Sequence, residues 1–213
     1  MNRVLPSLLA ALALTPLAAA GAEDRAGEFD YYVLSLSWSP SWCATDGHGR
    51  GEPQCNPDRR TAFVVHGLWP QYERGWPDYC RTTERDPSRR ESAAMADVMG
   101  SGGLAWYQWQ KHGRCSGLSA HAYYQAVRDA AAVVDIPPIF RMLPRDIRIE
   151  ASVIEDAFIE TNPDLTRDGI TVTCDGQRLD EVRICLTRDL EPRDCAPDSR
   201  RDCRAQMLME APG

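Results

Sequence analysis

Lysine is almost absent from this chain. Of 24 basic side chains one is a lysine, Lys111, and the rest are arginine; histidine occurs only four times. No C-x-x-C pair is present and no histidine stands at zinc-finger distance from a cysteine pair, which argues against a structural zinc site. No G-x-S-x-G elbow occurs, so the nucleophile turn of a secreted serine esterase is excluded. Neither histidine run carries the clustered carboxylates that a metal-dependent nuclease needs. Beyond the first residues, no apolar run approaches the roughly 20 residues that span a bilayer. A positive balance is lacking too. The net charge is −7, which rules out a general polyanion binder but leaves room for a cleft with its own local field.

These scarcities give weight to the places where the rare residues gather. Trp109-Gln110-Lys111-His112-Gly113 sets the single lysine beside a histidine, a compact ammonium kept where arginine is otherwise the rule. Phe63-Val64-Val65-His66-Gly67-Leu68-Trp69-Pro70 puts a second imidazole at the end of an apolar, strand-like stretch. Two His-Gly dipeptides thus point to a two-histidine site. His48, in a Gly-rich loop, and His121, opening a helix, read as solvated.

Arg3, the apolar stretch Val4 to Leu14 and the small residues ending Ala20-Gly21-Ala22 read as a secretory signal over residues 1–22. Residues 23–213 are then long enough for one domain with its own core. Eight cysteines in an exported chain favour four disulfides: four lie near the histidine runs and four in the last 40 residues. Sequence spacing alone leaves their pairing open.

Residues 29–38 read as a strand ended by Ser39-Pro40, residues 44–60 as a loop, and Thr61 to Leu68 as a second strand that delivers His66. Arg89 to Met99 reads as a helix, stopped by Gly100-Ser101-Gly102-Gly103 before another that runs through His112. Ser119 is a plausible cap for a helix over Ala120 to Val134, and Ser152-x-x-Glu155 resembles a capping box before Ala157 to Thr161. Gly169 to Cys174 and Leu179 to Leu186 form a hairpin about Asp175-Gly176, followed by a polar, cysteine-tied tail. Strands and helices mix without βαβ regularity, so the fold class is α+β.

On a helix through Trp106 to His112, residues three and four apart are neighbours, so Gln108, Lys111 and His112 share a face. Two imidazoles with an ordinary pKa of about 6.5 can hold opposite protonation states, one taking a proton while the other gives one. That chemistry suits displacement at phosphorus in RNA. The 2′-OH supplies the nucleophile, Lys111 can neutralise phosphoryl charge, and neither metal nor other cofactor is required. DNA lacks that nucleophile and is expected to resist.

Both histidine runs, His66-Gly67-Leu68-Trp69-Pro70 and Trp109-x-Lys111-His112-Gly113-x-Cys115, resemble the signature segments of the ribonuclease T2 family of secreted endoribonucleases. Leu36-Ser37-Trp38-Ser39-Pro40 and Glu181-Val182-Arg183-Ile184-Cys185 extend the likeness over most of the chain. The resemblance implies His112 as general base on the 2′-OH, His66 as general acid on the leaving 5′-oxygen and Lys111 as transition-state stabiliser. It implies a 2′,3′-cyclic phosphate product and single-stranded RNA as partner. It also implies a disulfide-stapled α+β core with a mostly antiparallel sheet flanked by helices, and pairings Cys43–Cys55, Cys80–Cys115, Cys174–Cys203 and Cys185–Cys195. A Cys80–Cys115 bridge would hold the segments after the two histidines together, and closing that loop is worth about 4 kcal/mol. By the resemblance Trp69 would pack by the base or phosphate of the bound nucleotide, its alternative being a buried core tryptophan, and Gln71 falls near the family's first base pocket; Trp76 and Tyr79 could stack on a base, although a Pro-flanked tryptophan more often plugs a core.

Two positions depart from the family pattern, which often has histidine and glutamate where this chain has Tyr107 and Gln108. Gln108 can hydrogen-bond a phosphoryl oxygen but cannot shuttle a proton. The expectation is a monomeric, secreted or periplasmic endoribonuclease with no membrane association after signal removal. The alternative is a catalytically weakened RNA-binding or toxin-like protein of the same fold.

Overall fold

The computed structural model describes residues 24–213, so the expected signal over residues 1–22 lies outside the described residues. Its frame is a six-stranded sheet. Strand β1 (Tyr31–Trp38) lies between β2 (Phe63–Gln71) and β5 (Arg178–Leu186), and β4 (Ile170–Asp175) also pairs with β5. Two short strands, β3 (Ile147–Ile149) and β6 (Met207–Met209), continue the sheet past β5. All pairings are antiparallel except the contact of β5 with β6. Strand β1 is buried along nearly its whole length because strands flank it on both sides and both its faces are covered.

The larger core lies on one face. Leu34, Leu36 and Trp38 of β1 pack there with Val182 and Ile184 of β5, Trp109, Tyr123, Val127 and Phe158. Trp109 belongs to α4 (Gly102–Lys111), Tyr123 and Val127 to α5 (Ala120–Val133), and Phe158 to α6 (Ala151–Thr161). The opposite face carries a small cluster of Tyr31, Val33, Cys185, Cys195 and Ala196, with Trp69 packed against it. One face is thus mostly core, and the other is open enough to hold a cleft.

Several sequence expectations are corrected. β2 starts at Phe63 and runs on through Pro70 to Gln71, which an edge strand tolerates because the missing N–H faces no second neighbour. Loop 44–60 is a series of short helical turns. The helix over Arg89 to Met99 is two pieces, α2 (Arg89–Ala93) and α3 (Ala96–Met99), and its capping box is Ser88 with Glu91. Ser152 caps nothing, because α6 already begins at Ala151. The hairpin turn is Gly176-Gln177, since Asp175 and Arg178 are paired, and Gly176 takes the positive φ that turn needs. The C-terminal tail is not merely polar, because Met207 and Met209 enter the core. The four disulfides are Cys43–Cys55, Cys80–Cys115, Cys174–Cys203 and Cys185–Cys195, as the family resemblance implied.

Candidate active site

His66 owes its position to one residue too many in β2. Ser35 of β1 opposes Gly67 and Leu36 opposes Val65, so His66 falls in a β-bulge with no partner. Phe63 and Val65 point into the helix-side core before the bulge, and Leu68 does so after it. The extra residue shifts the alternation by one, which leaves both His66 and Trp69 to the cleft.

The second histidine comes from the end of a helix. Ser101 caps α4 by accepting from the Leu104 N–H (3.2 Å), and Ala105, Gln108 and Trp109 form its buried face. His112 follows as its C-cap, 5% exposed. Gly113 is required there because a Cβ would stand 2.6 Å from Trp109 and 2.8 Å from Tyr123. The Cys80–Cys115 bridge and the bond from the Tyr79 N–H to the Lys111 carbonyl (2.8 Å) strap the segment after β2 onto this helix end. Tyr79 adopts a left-handed φ of 47° in making that strap.

Trp69 joins the two walls. Its ring stacks on His112 (centroids 5.2 Å apart, 29° between planes) and meets His66 edge-on at 5.5 Å. Its indole N–H donates to Gln108 Oε1 (2.8 Å), and the Arg183 guanidinium lies over its ring at 5.2 Å. A Cβ on Gly67 would stand 2.3 Å from the indole nitrogen and 2.4 Å from Gln108 Oε1, so this histidine, too, needs glycine after it.

A cleft of about 580 Å³ is lined by His66, Trp69, Gln71, Trp76, Tyr107, Gln108, Lys111 and His112, eight of the nine residues singled out from the sequence. Trp69 is half-buried in the cleft and Trp76 is 59% exposed, so neither is a core plug. Gln71 is buried with its amide donating to the Pro70 carbonyl (2.9 Å). Tyr79 lies outside this cleft and reaches it only through its hydroxyl, 3.5 Å from that of Tyr107. Cations and carboxylates are mixed: Lys111, Arg183 and Arg201 line the walls with Asp180, Glu181 and Asp198. Burial, the nearby Lys111 ammonium and His66 push His112 down to about 3, so its imidazole is neutral over the ordinary pH range.

A comparison with known families matches residues 29–195 to the Ribonuclease T2 family. The chain belongs to the ribonuclease T2 family. A ribonuclease of Aeromonas hydrophila is 45% identical over 108 residues, 51% of this chain and 47% of that protein. Ribonuclease I of Escherichia coli is 29% identical over 159 residues, 54% of this chain and 59% of that one. The chain thus spans about half the length of the curated relatives it matches. Among solved structures, RNase NT in complex with 5′-AMP is similar with a TM-score of 0.63 at 25% identity, over 87% of this chain and 98% of that one. An RNase-related protein from Calystegia sepium shares the fold with a TM-score of 0.66 at 20% identity, over 87% and 99%.

Within this ribonuclease T2 chain, five charged cleft residues, Asp180, Glu181, Arg183, Asp198 and Arg201, were not singled out as site residues from the sequence. Glu181 accepts a hydrogen bond from His66 Nδ1 through one carboxylate oxygen and from Arg183 through the other (Nε at 2.7 Å). Its carboxylate is buried, which alone would raise its pKa, but His66 and Arg183 outweigh burial and hold it down at about 2. Asp180, next to it, is raised by burial and by the Glu181 charge. The signal available in the sequence was the alternation Glu181, Arg183, Cys185, which puts all three on the cleft face of β5.

Proposed function

We propose that this protein is an endoribonuclease that cleaves single-stranded RNA by transphosphorylation, leaving a 2′,3′-cyclic phosphate, with residues 23–213 acting as one catalytic domain. His112 takes the proton of the 2′-OH as that oxygen attacks phosphorus. His66 gives a proton from Nε2 to the 5′-oxygen as its bond to phosphorus breaks. Lys111 offsets the charge gathering on the phosphoryl oxygens. The nucleophile belongs to the substrate, so the reading is metal-independent and excludes DNA.

The observation that carries this reading is the pairing of one neutral, buried imidazole with one carboxylate-bound imidazole around a single cleft that also holds Lys111. A base must start neutral, and burial keeps His112 so, while the ring that is to give a proton has its Nδ1 against the Glu181 carboxylate. A phosphodiester anion entering beside His112 favours its protonated form and restores basicity that burial removes. Trp69, Gln71, Trp76 and Tyr107 offer aromatic faces and an amide for bases, without fixing which base is preferred. Four disulfides favour an oxidising compartment, so we place the protein outside the cytosol, secreted or periplasmic, acting as a monomer. Among the described residues no helix is long and apolar enough to cross a membrane.

The test is incubation of the mature chain with an RNA oligonucleotide in chelator, beside an oligonucleotide lacking the 2′-OH at the scissile position. Cyclic-phosphate ends from the first and nothing from the second are expected. Cleavage of the deoxy substrate, or a requirement for metal, would overturn the mechanism. Binding without cleavage at any pH from about 4 to 8, the range around the imidazole pKa, would establish the RNA-binding alternative that Tyr107 and Gln108 suggest.

A further inference from the structure

Strands β2 and β5 are separated by β1, so side chains on them start about 9.5 Å apart, twice the strand spacing. Glu181 nevertheless reaches His66. It can do so because, at the level of Glu181 and Arg183, the intervening strand offers only serines on that face. Glu181 opposes Ser37 and Arg183 opposes Ser35, and Ser35 also opposes Gly67, the residue after the bulge. Ser35 is fully buried and its hydroxyl has no partner among the described residues, which fits a spacer rather than a ligand. The bulge aims His66 at this gap and Arg183 fixes the second carboxylate oxygen, so both oxygens of Glu181 are assigned. Burying a carboxylate this deeply, at 3% exposure, carries a desolvation cost that an apolar side chain would not. Compared with a well-packed apolar pair, then, stability alone does not select this ion pair.

We infer that Glu181 is the positioning residue for the sheet-side histidine: it fixes His66 as the tautomer with Nδ1–H toward the sheet and Nε2 toward the leaving oxygen, and balances the imidazolium's charge. This deepens the proposed reaction and rests on it. In effect the carboxylate that the family often has at position 108 is absent beside His112, while one is present, from the opposite wall, on His66. The other titratable groups around His66 are Asp180 and Arg183 on β5, and Lys111 and the neutral His112 at the end of α4. Arg183 is spent on Glu181, and Asp180 acts on His66 only through space.

The reaction itself separates this role from a merely structural one. A general acid matters for expelling a ribose 5′-oxygen, a poor leaving group, and matters little for 4-nitrophenolate, which departs without a proton. Cleavage of RNA and of uridine 3′-(4-nitrophenyl phosphate) is compared for the wild type, Glu181→Gln, Glu181→Ala, His66→Ala and His112→Ala. Both Glu181 variants should lose at least about tenfold on RNA and less than about threefold on the ester, following His66→Ala. His112→Ala should lose about 10²-fold or more on both. Ester cleavage doubles as the check that each variant is folded. RNA cleavage within twofold of wild type, or equal losses on both substrates, would overturn the role of Glu181 and leave the proposed reaction intact. If instead His112→Ala spares the ester and His66→Ala does not, the acid and base assignments fall, and the inference falls with them.

Discussion

On the sheet wall of the cleft, His66 is partly exposed and tied by Nδ1 to a carboxylate that is itself held by Arg183. On the helix wall, His112 is buried under the Trp69 ring, and its Nδ1 has no hydrogen-bond partner among the described residues. One imidazole is controlled by a charge and the other by exclusion of water. The contrast teaches how, in the proposed reaction, a chain with few histidines can draw two different proton carriers from one side-chain type: their surroundings, and not their intrinsic chemistry, would divide the work.

The comparison breaks most severely if the helix wall loses its imidazole. His112→Ala should reduce RNA cleavage by about 10²-fold or more, measured as initial rate on an oligonucleotide. Forcing the walls apart comes next. Gly67→Ala puts a methyl group into the space of the Trp69–Gln108 hydrogen bond, and overpacking of this kind costs about 1–3 kcal/mol. A lowered Tm together with loss of the His112 stacking, seen as a changed imidazole chemical shift, would check it.

Acid titration of stability sharpens the contrast. His112 is held down at about 3 in the folded chain, against about 6.5 unfolded, so the unfolded state binds the extra proton between these values. Its contribution is complete above about 6.5 and is lost as pH falls toward 3. Glu181 is held near 2, against about 4.5 unfolded, so its contribution is complete above about 4.5 and is lost only as pH falls toward 2. Tm should therefore decline in two stages from neutral pH. His112→Asn should flatten the first stage and Glu181→Gln the second, as read by calorimetry across pH 2–7. The smallest change is expected from Gln108→Glu. A carboxylate still accepts from the Trp69 indole and adds a charge that favours protonation of His112, so the rate should move by less than about threefold while the acid limb of the pH–rate profile shifts upward.

Both histidine runs, the lysine, the helix face of Gln108, Lys111 and His112, and the central strands were legible in the sequence because each rests on local pattern. Residues 69 and 71, which the family resemblance pointed to, and 76 and 107 also line the cleft. What sequence did not disclose is non-local. The bulge at His66 depends on the register of β2 against β1, and the contact of Glu181 with His66 depends on two registers at once. The glycine of each His-Gly pair looked like a motif letter. Its reason is a space beside Trp69 in one case and beside Trp109 and Tyr123 in the other. The misplaced cap at Ser152 failed because Ala151 already starts that helix, a boundary that propensity leaves loose.

The bulge in β2 has a consequence for how this protein can change. A strand's inward and outward positions keep a beat of two, and the unpaired His66 is the single dropped beat that lets hydrophobic Leu68 and cleft-facing Trp69 sit in the same short run. Deleting any one residue between Val64 and Gly67 would restore the beat and exchange the roles of everything on one side of the deletion. The segment can therefore vary by substitution but hardly by length, and its spacing is a stricter constraint than most of its letters.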